Sequence, residues 1–77
     1  MKKDVFQAVA DPTRRKILSL TAFKAMTPNE LAVNFNMTRQ AVSKHIKILT
    51  ESELLEQEPS GREIYYRIKP GNLRQID

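Results

Sequence analysis

Apolar residues recur at helical spacing through most of the chain and at alternate positions near its end. Phe6, Val9 and Ala10 fall together on a short opening helix that ends near Asp11. Asp11-Pro12 starts a second helix, because Asp accepts backbone N–H groups at the cap and Pro is tolerated at the first helical position. Its buried side is expected to hold Ile17, Leu18 and Leu20, with Thr21 and Ala25, while Arg14, Arg15 and Lys16 face outward. Thr27-Pro28-Asn29-Glu30 is another start signal, with Thr27 and Glu30 spaced as a capping box. Pro28, Leu31, Ala32 and Phe35 then line a helix of about two turns. Asn34-Phe35-Asn36-Met37 predicts a tight turn, since Asn tolerates the left-handed conformation. Thr38 caps the helix that follows. Its inward stripe is Val42, His45, Ile46 and Leu49, and its other face carries Arg39, Gln40, Ser43, Lys44 and Lys47.

After Leu54 the period changes from helical to alternating. Ile64, Tyr66 and Ile68 share one face of a strand, and Glu63, Tyr65 and Arg67 share the other. Leu55-Glu56-Gln57-Glu58 is the partner strand, and Pro59-Ser60-Gly61 supplies the turn between them. Pro70-Gly71 ends the second strand, and Asn72 opens a further helix that is cut short at Asp77. No repeat or Gly/Ser-rich linker interrupts the chain, so residues 1–77 read as one domain. Two unequal helices joined by a short turn and followed by a hairpin define the fold class. It is mainly α (α+β): a winged helix-turn-helix, with a three-helix core and a two-stranded β-hairpin wing.

Composition narrows the functions open to such a chain. With 77 residues, folding removes only about 60% of the unfolded surface, which leaves a thin core and little room for a catalytic cleft. The chain is therefore not expected to be an enzyme. It has no cysteine, hence no disulfide, no thiolate metal site and no cysteine nucleophile. Apolar runs extend to only two or three residues, far short of a membrane span or a signal-peptide core. The expected location is the cytoplasm. Thirteen basic against nine acidic side chains give +4, and a pI near 9.7 favours polyanionic partners. The distribution says more than the total. From Leu31 to Thr50 there is no acid at all, only Arg39, Lys44, Lys47 and the single histidine, His45. Acids then return at Glu51, Glu53, Glu56 and Glu58.

That acid-free segment has the chemistry of a groove reader. The major groove of B-DNA admits one α-helix, whose first turns reach the base edges. Arg39 can bond guanine O6 and N7, and Gln40 can bond adenine N6 and N7. Thr38 and Ser43 let the backbone approach closely, and Lys44 follows on the same face. Lys47 is placed to meet phosphate, as are the oriented N–H groups at the helix start marked by Thr27. Arg62, beside Gly61 at the hairpin tip, suits the narrow minor groove or its phosphates. His45 has no second histidine or cysteine to complete a metal set, and is expected to be partly buried and bonded to backbone.

Three blocks of this sequence carry a family likeness. They are residues 5–15 (VFQAVADPTRR), residues 38–49 (TRQAVSKHIKIL) and residues 61–68 (GREIYYRI). In this order and spacing the chain resembles the ArsR-type winged-helix transcriptional regulators of bacteria over essentially its whole length. The resemblance implies a homodimeric repressor on a pseudo-palindromic operator, with Thr38, Arg39, Gln40, Ser43 and Lys44 facing the major groove. It further implies a wing around Arg62 and a dimer contact around Phe6 and Val9. Many relatives sense metals through cysteines on the helix before the turn. Here that stretch reads Glu30-Leu31-Ala32-Val33, so no thiolate-bound metal and no cofactor are expected. Glu53 stands where relatives usually carry glycine, and a left-handed residue there costs about 1 kcal/mol, which points to a rearranged helix end.

The expected function is sequence-specific binding of double-stranded DNA by a homodimeric regulator, with an inducer the sequence does not name. Two alternatives stand beside it. The acids at Glu51, Glu53, Glu56 and Glu58 favour a winged helix used for protein–protein contact, and Tyr65 favours a non-specific nucleic-acid binder that stacks bases.

Overall fold

The computed structural model describes residues 4–70. Four helices are followed by one hairpin: α1 (Val5–Ala10), α2 (Pro12–Phe23), α3 (Pro28–Phe35), α4 (Arg39–Glu51), β1 (Leu55–Ser60) and β2 (Glu63–Ile68). The helix expected from Asn72 lies outside the described residues.

Each helix begins where its capping chemistry places it. Asp11 accepts the Arg14 N–H at 3.0 Å and Pro12 takes the first position of α2. At α3 the capping box is complete: Thr27 Oγ1 accepts the Glu30 N–H at 3.1 Å, and Glu30 Oε1 accepts the Thr27 N–H at 2.9 Å. Thr38 accepts the Ala41 N–H at 3.1 Å and starts α4. Between α3 and α4, Asn36 takes the left-handed conformation at φ 53°, as the turn requires.

The core is the meeting place of these helices and the base of the hairpin. Ala8, Ile17, Met26, Leu31, Val42, Ile46, Leu49 and Leu55 are buried in one cluster, with Leu54 and Tyr66 among the residues packed against it. Each large aliphatic side chain there is worth about 1.5–3 kcal/mol in area removed from water. Leu18, Leu20 and Ala25, expected inside, are only half-buried. Thr21 is buried and satisfied, its hydroxyl donating to the Ile17 carbonyl at 2.7 Å.

Two turns differ from expectation. The strands pair antiparallel from Leu55↔Ile68 to Ser60↔Glu63, so Pro59 and Ser60 lie within β1 and the turn is Gly61-Arg62. Gly61 sits at φ 64°, where a two-residue hairpin turn of the II′ type carries glycine. Pro59 is tolerated because β1 is an edge strand. At the end of α4, Glu53 adopts φ 62°, the conformation expected of glycine. The helix end is not rearranged. Leu54 N–H reaches the Leu49 carbonyl at 2.9 Å and Glu53 N–H the Thr50 carbonyl at 3.0 Å, the paired bonds of a Schellman motif. Leu54 packs against the core at that point, which offsets the local backbone cost.

The hairpin is anchored at its base and middle. Lys69 N–H donates to the Leu54 carbonyl at 3.0 Å, and Met26 and Tyr66 form an isolated antiparallel bridge. The register puts Leu55, Gln57, Pro59, Ile64, Tyr66 and Ile68 on the inner face of the hairpin. Glu56, Glu58, Glu63, Tyr65 and Arg67 share the outer one.

Candidate nucleic-acid interface

The outward face of α4 is fixed by what its inward face buries. Val42, Ile46 and Leu49 are at most 3% exposed, so rotation of the helix about its axis would expose core. That anchoring turns Arg39, Gln40, Ser43, Lys44 and Lys47 to solvent, all five exposed. Thr38 is exposed too, with its hydroxyl oxygen engaged at the cap. The expected row is therefore assembled on one face.

The hairpin brings Arg62 to the same side. An open cleft of about 220 Å³ is lined by Thr27, Asn29, Arg39, Ser43, Arg62 and Tyr66, among others. The start of α3, the start of α4 and the wing tip thus share one wall. A second cleft of about 210 Å³ runs between α4 and the hairpin, where Ser43 and Lys47 face Gln57 and Tyr66. Among the described residues, Arg39, Lys44 and Arg62 carry no ion pair.

Other predicted positions are placed differently. Thr27 is 5% exposed, and both its hydroxyl and its N–H serve the capping box. Phe6 is 83% exposed on α1, and Val9 beside it is half-buried. Tyr65 is half-buried rather than a free ring. On the outer face of the wing, Arg67 donates to Glu58 at 2.9 Å and lies 3.8 Å from Glu56. That pairing raises the Arg67 pKa, chiefly through the hydrogen bond to Glu58. Arg67 is therefore committed to its own strand pair.

Two residues contradict their expected surroundings. Arg14 does not face outward. Its guanidinium is turned inward, donating to the Ala8 carbonyl at 2.7 Å and the Gln7 carbonyl at 3.1 Å, and it meets His45 Nδ1 at 3.3 Å. His45 accordingly has side-chain partners, with Asp11 Oδ2 4.0 Å from the same nitrogen, and not the expected backbone bond. No carboxylate on α4 reaches it; this one comes from the cap of α2.

Comparison with known proteins agrees with this geometry. The family described as a helix-turn-helix domain matches residues 9–58. The transcriptional repressor SdpR of Bacillus subtilis is 40% identical over 84% of this chain and 72% of its own length. The chain belongs to the ArsR-type winged helix-turn-helix transcriptional regulators. An ArsR-like transcriptional regulator from Rhodococcus sp. RHA1 superposes with a TM-score of 0.85 at 35% identity, over 94% of this chain and 66% of that one. The homodimeric winged helix-turn-helix DNA-binding domain of Mb0332 from Mycobacterium bovis, a possible ArsR-family regulator, has a TM-score of 0.84 at 26% identity. That match covers 94% of this chain and 67% of the other. This ArsR-type chain spans less than two thirds of some relatives, such as 56% of the regulator KmtR of Mycobacterium tuberculosis. Among the described residues, no helix is long and apolar enough to cross a membrane, and no three His, Asp or Glu side chains are grouped as metal ligands would be.

Proposed function

We propose that this chain is a sequence-specific, double-stranded DNA-binding transcriptional regulator, a repressor that acts as a homodimer on a pseudo-palindromic operator in the cytoplasm and catalyses no reaction. The observation that carries the reading is the exposed row on α4, cationic and amide-bearing, backed by a helix face that cannot rotate out of the core. Arg39 and Gln40 read base edges in the major groove, with Thr38, Ser43 and Lys44 against bases or the nearest phosphates. Lys47 meets phosphate and supplies affinity without sequence information. Arg62 enters the flanking minor groove from the wing tip. Thr27 acts at one remove, by fixing the start of α3 beside that cleft.

Homodimerisation is supported by Phe6, a large apolar ring left 83% exposed on α1, and by the homodimeric state named for the Mb0332 domain. Repression is supported by the name borne by SdpR. Two-fold symmetry would set the recognition helices about one DNA turn apart.

Selection of bound duplexes from a random pool, with sizing of the free protein, tests the reading. A selected pair of inverted half-sites about 10 base pairs apart, bound by a dimer, is the expected result. Absence of any duplex above background in low salt would instead favour a protein-binding wing, whose acidic outer face carries Glu56, Glu58 and Glu63.

A further inference from the structure

The inward turn of Arg14 has no role in holding its own helix together. Its fork is spent on two other elements. Nε and Nη2 take the Ala8 and Gln7 carbonyls at 2.7 Å and 3.1 Å, near the end of α1, where carbonyls lack partners within the helix. Nη1 takes His45 Nδ1 at 3.3 Å, on the inner side of α4. One side chain therefore ties the helix that carries Phe6 and Val9 to the helix that carries Arg39, Gln40 and Lys44.

This tie depends on a single proton. Arginine is always a donor, so Nδ1 accepts only when it is unprotonated, with the ring hydrogen on Nε2. Protonation puts a hydrogen on Nδ1 and a positive charge beside the guanidinium. The bond to Arg14 is then lost, and the same nitrogen becomes a donor towards Asp11 Oδ2, 4.0 Å away. The charged groups facing the ring are Asp11 and Arg14, both from the start of α2. On the far side of Arg14 lie the α1 carbonyls of Gln7 and Ala8, which it binds, and Asp4, the cap of α1, which lines a cleft of about 180 Å³ with Arg14.

We propose that Arg14 and His45 are positioning residues for DNA reading: the neutral imidazole latches α4 to α1 through Arg14, and protonation releases the latch. The consequence for DNA rests on the function proposed above; the latch itself does not. Its predicted effect is on discrimination between sequences. A small tilt of α4 that keeps its buried face in the core misaligns the two-pronged base contacts of Arg39 and Gln40, whereas the long, flexible Lys47 side chain can follow phosphate through it. His45 is the sole histidine of the chain.

The test compares wild type, Arg14→Lys and His45→Asn on a duplex selected from a random pool and on a random duplex of equal length. Lysine keeps the charge but lacks the planar fork whose separate nitrogens reach the α1 carbonyls and His45 at once. Asparagine keeps an acceptor near the Nδ1 position and cannot titrate. In the wild type, the ratio of selected to random affinity is expected to fall on the order of tenfold between about pH 8 and about pH 5.5. His45→Asn flattens that profile at the high value, and Arg14→Lys flattens it at the low one. Circular dichroism melts confirm that both variants fold. A wild-type ratio that does not change with pH, or a His45→Asn protein that keeps the wild-type profile, overturns the proposal. Ring nitrogen NMR of the free protein separates this from failure of the DNA reading. The neutral ring must be the Nε2–H form in the wild type, and an Nδ1–H form overturns the latch whether or not any duplex is selected.

Discussion

The backbones of Met26 and Tyr66 exchange two hydrogen bonds, Met26 N–H to the Tyr66 carbonyl at 2.9 Å and Tyr66 N–H to the Met26 carbonyl at 2.8 Å. This pair stitches the hairpin to the link between α2 and α3, forty residues earlier in the chain. It also sets the cleft between wing and recognition helix, because the Tyr66 side chain lines that cleft with Ser43. Met26→Pro removes one N–H and leaves the Tyr66 carbonyl without its partner. The expected loss is about 1–3 kcal/mol from that unmet acceptor alone, read in a denaturant melt. Proton exchange at the Tyr66 amide should quicken in the same variant.

The row on α4 divides into two kinds of contact, and salt separates them. Lys47→Ala is expected to weaken all duplexes alike and to lower the slope of log affinity against log salt by about one. Gln40→Ala should leave that slope unchanged while costing about 1–3 kcal/mol on the selected site. Titrations at several salt concentrations on selected and random duplexes check both.

Asp11 links folding to acid pH. Its carboxylate accepts the Arg14 N–H, and that bond, with nearby His45 and Arg14, holds its pKa below the ordinary 3.8 against the opposing effect of burial. A carboxylate depressed in the folded state contributes stability that is present above its unfolded pKa and lost as pH falls through the folded one. Asp11→Asn keeps the cap but not the charge, so its stability should fall below wild type at neutral pH and converge with it below 3.8. Asp11→Ala should cost about 1 kcal/mol more through the lost cap. Urea melts across the acid range decide the sign.

Glu53 holds a left-handed conformation that glycine adopts without penalty. Glu53→Gly gives up, among the contacts of this side chain, the 3.5 Å one with half-buried Lys69. Relief of the backbone alone is worth about 1 kcal/mol, which by itself would raise the melting temperature of a domain this size by roughly 4–8 °C.

Much of this arrangement is legible along the chain because it rests on local chemistry. Asp11, Thr27 and Thr38 cap helices through bonds that close within three residues, and Asn36 turns the chain by its own tolerance of positive φ. The inward stripe of α4 follows the helical period, and so its reading face follows by subtraction. What is not legible is carried across elements. Arg14 sits at an outward-looking position, and two of its acceptors are main-chain carbonyls of α1, which leave no trace in side-chain pattern. Asp11 reaches His45 only because α2 crosses α4. The Met26–Tyr66 bridge is likewise a backbone contact, indifferent to residue type. Pro59 and Ser60 have turn chemistry and draw the expected hairpin turn toward themselves, but strand pairing from the base carries through them to Gly61.

The most direct measurement of the central claim is the affinity of Arg39→Ala for a selected duplex and for a random duplex of the same length and salt. If Arg39 reads a base from the exposed face of α4, the selected duplex loses about 1–3 kcal/mol and the random one much less. Equal loss on both would contradict the claim, and would reduce α4 to a cationic surface without sequence preference.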